Sequence, residues 1–216
     1  ARLTFSSGAT SATPSADGEQ VAFIVRGDVF VTSADYATTK QITHTAAAEA
    51  DVCFAPDGRT LAYASERGGN WQLYLAKIAR KEDPNFANAT LIDEEVLLPS
   101  TTVERTMPTF SPDGKEVAFL EDRTTLRVIN LKSRKVRTVL DGKYNYSYSD
   151  GDQTYQWSPD SRWFLAKYIS VGGWNNTDIV LVKADGSGEM TNLTESGYSD
   201  GNPKWVLGGK AMIWSS

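Results

Sequence analysis

Short apolar runs with a two-residue alternation recur along the chain, and the three-to-four-residue spacing of amphipathic helices does not. Clusters of Gly, Pro, Asn and Asp bound these runs, as is typical of β-strands separated by turns. The sequence therefore predicts an all-β protein. Representative runs are Val29-Phe30-Val31, Leu73-Tyr74-Leu75, Leu126-Arg127-Val128-Ile129 and Ile179-Val180-Leu181-Val182.

A turn phrase followed by an apolar strand occurs five times, with its turn at positions 17, 57, 113, 160 and 208. The resulting period of about 40 to 56 residues is that of four-stranded propeller blades. We therefore expect a β-propeller with about four complete four-stranded blades and a partial terminal blade, forming part of a larger propeller. The phrases are Ser15-Ala16-Asp17-Gly18, Ala55-Pro56-Asp57-Gly58, Ser111-Pro112-Asp113-Gly114, Ser158-Pro159-Asp160-Ser161 and the degenerate Val206-Leu207-Gly208-Gly209.

The Pro-Asp-Gly core of the phrase has a local physical role. Proline sets φ for the first corner of a turn, aspartate bonds to its own backbone, and glycine tolerates a positive φ. A carboxylate that recurs once in each blade is explained by the blade. We therefore interpret Asp17, Asp57, Asp113 and Asp160 as turn-forming residues, without a catalytic or metal-binding role.

The repeat divides the chain into blades within one segment, 1–216. We place them approximately at 10–50, 51–106, 107–153 and 154–201, with a partial blade at 202–216. In the second repeat we expect strands at 60–65 and 71–78 and an outer strand at 90–98. Residues 79–89 look like an inserted surface loop, which explains the longest spacing between turns.

Composition excludes several classes of function. The formal net charge of −5 lacks the basic excess that general nucleic-acid binding requires. No run of 18 apolar residues is present, so we expect no membrane span. The single cysteine, Cys53, precedes a turn within a strand and is best explained as a buried structural thiol.

The sequence contains no motif that indicates a catalytic centre. The single histidine, His44, lies at the end of an expected outer strand, and no serine lies in a G-x-S-x-G pattern. One His and one Cys are too few ligands for a zinc site, and the Gly-rich segments lack the lysine of a P-loop. We therefore assign no catalytic residue, no metal and no cofactor.

Charged residues cluster just before each innermost strand, and the innermost strands of a propeller line its central channel. These residues are then expected to surround one mouth of the channel. Two interpretations stay open: solvated loop ends that bond neighbouring blades, or a rim that faces a ligand or peptide. The candidates are Glu49, Asp51, Glu104, Arg105, Asp152 and Asp200, with Asp150 and Asn202 beside them.

Two stretches carry a resemblance to known propellers. The segment Ser65-Glu66-Arg67-Gly68-Gly69-Asn70-Trp71 after a Pro-Asp-Gly strand is similar to the Tol-biopolymer-type repeat. The segment Val25-Arg26-Gly27-Asp28-Val29-Phe30-Val31 resembles the blades of tricorn-like proteases, specifically their second, seven-bladed propeller. In that family, propellers gate or guide peptides for a separate serine-protease region. The resemblance therefore implies a non-catalytic propeller of a tricorn-like serine peptidase.

Two other classes of parent protein use the same repeat. A Tol-type periplasmic scaffold would bind proteins without any enzyme attached. A prolyl-oligopeptidase-type enzyme would place its propeller beside an α/β-hydrolase. Under all three hypotheses the expected partners are peptides or unfolded protein segments, or other domains of the same chain.

The expected incomplete propeller and the family resemblance also predict the oligomeric state and the cellular compartment. Unpaired sheet edges at the two ends of an incomplete propeller predict self-association into a homo-oligomer. The resemblance favours the bacterial periplasm or cell envelope, with the cytoplasm as the alternative.

Overall fold

The computed structural model of the protein describes residues 7–99, 101–148, 153–169 and 176–216. Within them the backbone forms four four-stranded sheets and one two-stranded sheet, and it contains no α-helix. The first sheet contains β1 (Ala9–Pro14), β2 (Gln20–Val25), β3 (Asp28–Ser33) and β4 (Thr39–Gln41). The second contains β5 (Glu49–Phe54), β6 (Thr60–Ser65), β7 (Gln72–Ile78) and β8 (Ile92–Val96).

The remaining sheets continue the same order along the chain. The third contains β9 (Arg105–Phe110), β10 (Glu116–Glu121), β11 (Thr125–Asn130) and β12 (Val136–Leu140). The fourth contains β13 (Tyr155–Trp157), β14 (Trp163–Ile169), β15 (Thr177–Lys183) and β16 (Met190–Asn192). The last contains β17 (Gly201–Val206) and β18 (Ala211–Ser215). Strands adjacent in a sheet are adjacent in the chain, so every sheet is a meander, which confirms the predicted all-β class.

The second strand of each four-stranded sheet carries a fully buried residue at the equivalent position of the repeat. Across the antiparallel pair it lies opposite an aliphatic residue of the third strand, and these pairs fill the centre of each sheet. In β6 five consecutive residues, 61–65, are buried, so this strand is covered on both faces. The pairs are Ala22 with Val31, Ala62 with Leu75, Ala118 with Val128, and Leu165 with Leu181.

Contacts divide the chain into two compact units, Ala1–Phe110 and Ser111–Ser216. The core of the first unit joins Ile24 and Val29 of the first sheet to Leu61 and Tyr63 of the second. In the second unit Trp157 packs on Phe164, with ring centroids 4.0 Å apart. Each unit therefore has its own hydrophobic core.

The insertion at 79–89 is only partly a surface loop. Residues 79–82 are exposed, but a 3-10 helix at Phe86–Asn88 follows, and Phe86 is fully buried in the core of the first unit. The Phe86 amide donates to Oε1 of Gln20 at 2.8 Å, and Lys40 Nζ donates to the Ala89 carbonyl at 2.6 Å. The prediction of a surface loop is therefore wrong for its second half, because that half docks on the first sheet.

The four Asp residues of the turn phrases are turn formers, as predicted. Each carboxylate accepts the amide hydrogen of the residue two positions later, and a hydroxyl also donates to it. In the first, third and fourth copies that hydroxyl belongs to the preceding serine, whereas Thr60 supplies it in the second copy, where alanine replaces serine. The amide contacts are Glu19 to Asp17 at 3.0 Å, Arg59 to Asp57 at 2.8 Å, Lys115 to Asp113 at 3.1 Å, and Arg162 to Asp160 at 3.1 Å.

These contacts stabilise the ionised carboxylates. The hydrogen bond from the Ser15 hydroxyl, followed by that from the Glu19 amide, holds the pKa of Asp17 below its ordinary value. The hydroxyl of Ser158 does the same for the pKa of Asp160. The turns are therefore most stable when their aspartates are charged.

The degenerate fifth turn contains no aspartate, and its shape comes from the conformation of its backbone. A 3-10 turn at Leu207–Gly209 joins β17 to β18, and all three of its residues have positive φ. A Cβ on Gly209, whose φ is +87°, would lie 3.0 Å from Cγ of Pro159 in the preceding turn phrase. Glycine is therefore required there both by conformation and by the close approach of the proline.

Candidate functional site

The first strand of several sheets contains a bulge at the same point of the repeat. One residue of the bulge adopts a left-handed conformation, and the register of the strand shifts around it in β1, β5 and β17. Such bulges re-aim the neighbouring side chains. The left-handed residues are Ser11, Asp51, Met107 and Asn202, with φ of 52°, 56°, 53° and 52°.

The residue two positions before the left-handed residue of the bulge contacts the preceding sheet. In three cases its amide donates to a carbonyl at the start of the third strand of the preceding sheet, and we call this line of contact the sheet seam. The predicted candidates Glu49, Arg105 and Asp200 occupy this position. The bonds are Glu49 to Gly27 at 2.7 Å, Arg105 to Trp71 at 2.9 Å, and Asp200 to Thr177 at 2.6 Å.

Glu49 lies buried in the first seam, with its side chain fully shielded from solvent. Its carboxylate accepts hydrogen bonds from the hydroxyls of Thr43, Thr45 and Ser65 at 3.1, 2.9 and 2.9 Å. Nε of Arg67 lies 3.4 Å from the same carboxylate. A buried carboxylate with this many donors is compensated within the protein, so Glu49 holds two sheets together.

Arg67 extends this network to the outer strand of the second sheet. Its Nη2 lies 2.8 Å from Oε1 of Glu94, and its guanidinium sits 4.6 Å from the centre of the Tyr74 ring. The Tyr63 hydroxyl also donates to Glu94. Burial, followed by this bond to a carboxylate, raises the pKa of Tyr63 far above its usual value, so its hydroxyl stays protonated.

The other candidates of the first unit are also placed at the second seam. Oδ2 of Asp51 accepts the amide hydrogen of Met107 at 2.9 Å. Nη1 of Arg105 donates to the Pro99 carbonyl at 2.9 Å and to Oε1 of Gln72 at 3.2 Å. Glu104 is half-buried beside them. Asp51 and Arg105 thus bond neighbouring sheets.

Asp200 differs because it borders open space. The residue is 2% exposed, and its Oδ2 accepts a hydrogen bond from the Ser196 hydroxyl at 3.1 Å. Its carbonyl accepts the Thr177 hydroxyl at 2.8 Å. A cavity of about 230 Å³ lies beside it, bordered by polar side chains that include Thr154, Lys167, Thr177, Asn202 and Ser215.

The remaining residues that the sequence analysis considered form no site in the described part of the chain. Asp150 and Asp152 lie outside the described residues. His44 is exposed. Burial raises the pKa of the Cys53 thiol to about 12, which leaves it an unreactive thiol at neutral pH. The described part of the chain brings no three His, Cys, Asp or Glu side chains together as a metal site.

The cavity beside Asp200 gathers residues that sequence analysis missed. Thr154 precedes β13, Lys167 lies in β14 and Ser215 ends β18, so they are far apart in the chain. The turn phrases predict the order of the strands. They do not predict which polar residues from different strands lie close together. Of the residues that border the cavity, the sequence analysis named only Asp200 and Asn202.

Comparisons with solved structures identify the fold. No family model and no curated protein matches the sequence. A putative TolB from Agrobacterium tumefaciens is 20% identical with a TM-score of 0.65, covering 89% of this chain and 64% of its own. TolB from Acinetobacter baumannii is 18% identical with a TM-score of 0.65, covering 91% of this chain and 47% of its own. The tricorn protease is 15% identical with a TM-score of 0.65, covering 92% of this chain and 18% of its own.

The sheets are therefore the blades of a β-propeller. At these identities the likeness is one of fold, and it includes both of the propeller types that the sequence resembles. The chain spans 64% and 47% of the two TolB chains. In the described residues, no helix has the length and apolar character needed to cross a membrane.

Proposed function

We propose that the chain is a non-catalytic propeller segment that binds or guides peptides. The observation that carries this proposal is the polar cavity beside Asp200, held in a fixed frame by hydrogen bonds at the sheet seam. Ligand sites are usually concave and preformed, and a few fixed polar groups orient the ligand in them. Peptides offer the amide, carbonyl and amino groups that such a surface can bond.

In the full proposal, the peptides pass to the catalytic region of a tricorn-like serine peptidase. The likeness to the tricorn protease supports it, because that match covers 92% of this chain but only 18% of the enzyme. A propeller segment within a much longer enzyme would leave the chemistry to other domains. No residue of this chain is assigned to the peptidase reaction.

A Tol-type scaffold is the second candidate. The likeness to two TolB structures, at 20% and 18% identity, favours it. The partners would then be folded or extended proteins of the bacterial periplasm. A peptidase described as puromycin-hydrolysing, from Mycobacterium tuberculosis, also shares the fold with a TM-score of 0.60. The propeller of a prolyl-oligopeptidase-type enzyme is the third candidate.

Peptide binding by the purified chain tests the general proposal. A mixture of short fluorescent peptides is titrated with the protein, and anisotropy and mass spectrometry are recorded on the same samples. We expect saturable binding and intact peptides. Absence of binding at about 1 mM protein, which corresponds to a free energy weaker than about −4 kcal/mol, would contradict a peptide-binding role, and hydrolysis would contradict a non-catalytic one.

The coding frame on either side of the sequence separates the candidates. A downstream PDZ-like segment with a nucleophilic serine supports the tricorn-like peptidase. A small α/β domain upstream supports the Tol-type scaffold. A downstream α/β-hydrolase with a G-x-S-x-G elbow supports the third candidate.

A further inference from the structure

Two residues that border the cavity beside Asp200 carry hydrogen-bond acceptors that suit a ligand with donors. One is the Asp200 carboxylate, whose Oδ2 is bonded to Ser196. The other is the Thr154 hydroxyl, which is buried and makes no hydrogen bond in the structure. An unpaired buried hydroxyl costs free energy, and a donor from a bound ligand would remove that cost.

Charge narrows the class of ligand. A carboxylate that is 2% exposed lies in a poorly solvated site, where a charge-assisted hydrogen bond to a cation is strong. A protonated primary amine is a compact cation with three donors. It can pair with the Asp200 carboxylate, while Lys167, the other charged residue of the lining, suits the carbonyl oxygen of the adjoining peptide unit.

Size and the other polar groups fit the amine of a peptide. The cavity measures about 230 Å³, several times the roughly 30 Å³ that a water molecule occupies in the liquid. It therefore has room for an amino group together with its first peptide unit. Lys167 and Asn202 also border the cavity, and both carry N–H donors for the carbonyl oxygen of such a unit.

We propose that this cavity binds the protonated primary amine of a peptide, with Asp200 and Thr154 as its acceptors. The inference rests on the proposed peptide-binding function and names the group that is recognised. The amine can come from a peptide N-terminus or from a lysine side chain, because both present the same ammonium group.

Three fluorescent peptides of alanine, glycine and serine distinguish these sources. One has a free N-terminus, one is N-acetylated, and one is N-acetylated but contains a single lysine. We expect the acetylated, lysine-free peptide to bind at least about tenfold more weakly than the better of the other two. Equal binding of all three peptides would overturn the inference while leaving peptide binding in place, whereas no binding by any of them would remove both proposals.

Two variants assign the effect to the cavity. Asp200→Asn keeps an acceptor for the Ser196 hydroxyl but removes the charge, and we expect it to abolish the preference for an amine. Asp178→Asn is the matched control, because Asp178 is also buried, at 7% exposed, but does not line the cavity. If both variants lose the preference equally, or both retain it, the assignment to Asp200 is wrong.

Thr154→Val separates binding from folding. Since the hydroxyl has no partner in the structure, its removal is expected to leave the melting temperature unchanged or raised, while weakening amine binding several-fold. An unchanged affinity would remove Thr154 from the site. Calcium ions alone serve as a further probe, because displacement of the peptide by Ca²⁺ that depends on Asp200 would assign the cavity to a metal ion and overturn the proposal.

Discussion

The charged residues of the repeat serve two structural tasks at the scale of single side chains. The aspartates of the turn phrases bond the backbone that follows them, and the charged residues before the bulges bond neighbouring sheets. Glu49 illustrates the second task, because three hydroxyls and Arg67 surround its carboxylate. Such complete compensation explains how a charge can be buried there.

The serine of the turn phrase is expected to contribute measurably to stability. Ser111 is fully buried, donates to Asp113 at 2.7 Å and accepts the Glu116 amide at 3.0 Å. We predict that Ser111→Ala lowers the free energy of unfolding by about 1 to 2 kcal/mol. Urea denaturation followed by tryptophan fluorescence measures it.

The control for this variant is Ser187→Ala in an exposed turn. Ser187 accepts the Glu189 amide at 3.3 Å, so we expect a change within about 0.5 kcal/mol. Equal effects of the two substitutions would mean that burial of the Ser111 hydroxyl adds nothing.

For single residues, the sequence predicted the role of the turn aspartates. It did not predict the contacts of the charged candidates expected at the channel mouth. The role of Asp57 is local, since its partners lie two and three residues away. The partner of Asp51 is 56 residues away. A single sequence carries the first kind of information directly, whereas the second depends on which sheets meet.

Strands were predictable where an apolar run is bounded by turn residues. The expected strand at 60–65 coincides with β6, and the expected strand at 71–78 differs from β7 by one residue. The insertion was harder to predict, because Phe86 is the only large apolar residue in the mostly polar stretch 79–89. Its burial depends on Gln20 of the first sheet, which accepts the Phe86 amide.

The fifth turn offers a test at the scale of an element. We predict that Gly209→Ala destabilises the protein more than Gly208→Ala. Both glycines have positive φ, so alanine costs about 1 kcal/mol at either site. Only at position 209 would the new Cβ also press on Pro159, at 3.0 Å, and overpacking typically adds about 1 to 3 kcal/mol.

Thermal denaturation of the two variants measures the difference. Nothing lies within 4 Å of the Cβ position of Gly208, which makes it a control for backbone strain alone. If Gly208→Ala is the more damaging change, the contact with Pro159 does not constrain the turn.

At the scale of the whole molecule, the period of the turn phrase was sufficient to predict a propeller. The period is a property of the blade itself, so it survives where the phrase degenerates, as between β17 and β18. The cavity beside Asp200 could not be predicted in the same way. Lys167 and Ser215 lie in strands of two different sheets and Thr154 precedes a third strand, and no local pattern in the sequence shows that the three residues border one cavity.

The turn aspartates also set how the stability of the whole chain depends on pH. Hydrogen bonds from serine hydroxyls lower the pKa of Asp17 and Asp160. For Asp113 partial burial acts in the opposite direction, but bonds from Ser111 and Lys115 outweigh it and lower the pKa as well. All three carboxylates therefore bind protons more weakly in the folded state than in the unfolded state, where an aspartate has a pKa of about 3.9.

We therefore predict that the stabilising effect of these carboxylates is fully present above about pH 5 and is lost as the pH falls through their lowered pKa values. Urea midpoints measured between pH 7 and pH 2 should fall steeply below about pH 4. Asp160→Asn, which removes one titrating group, should be less stable than the parent protein at pH 7. Because the parent carboxylate becomes neutral in acid, the gap between the two proteins should narrow towards pH 2. A gap that stays constant across this range would show that the charge on Asp160 does not stabilise its turn.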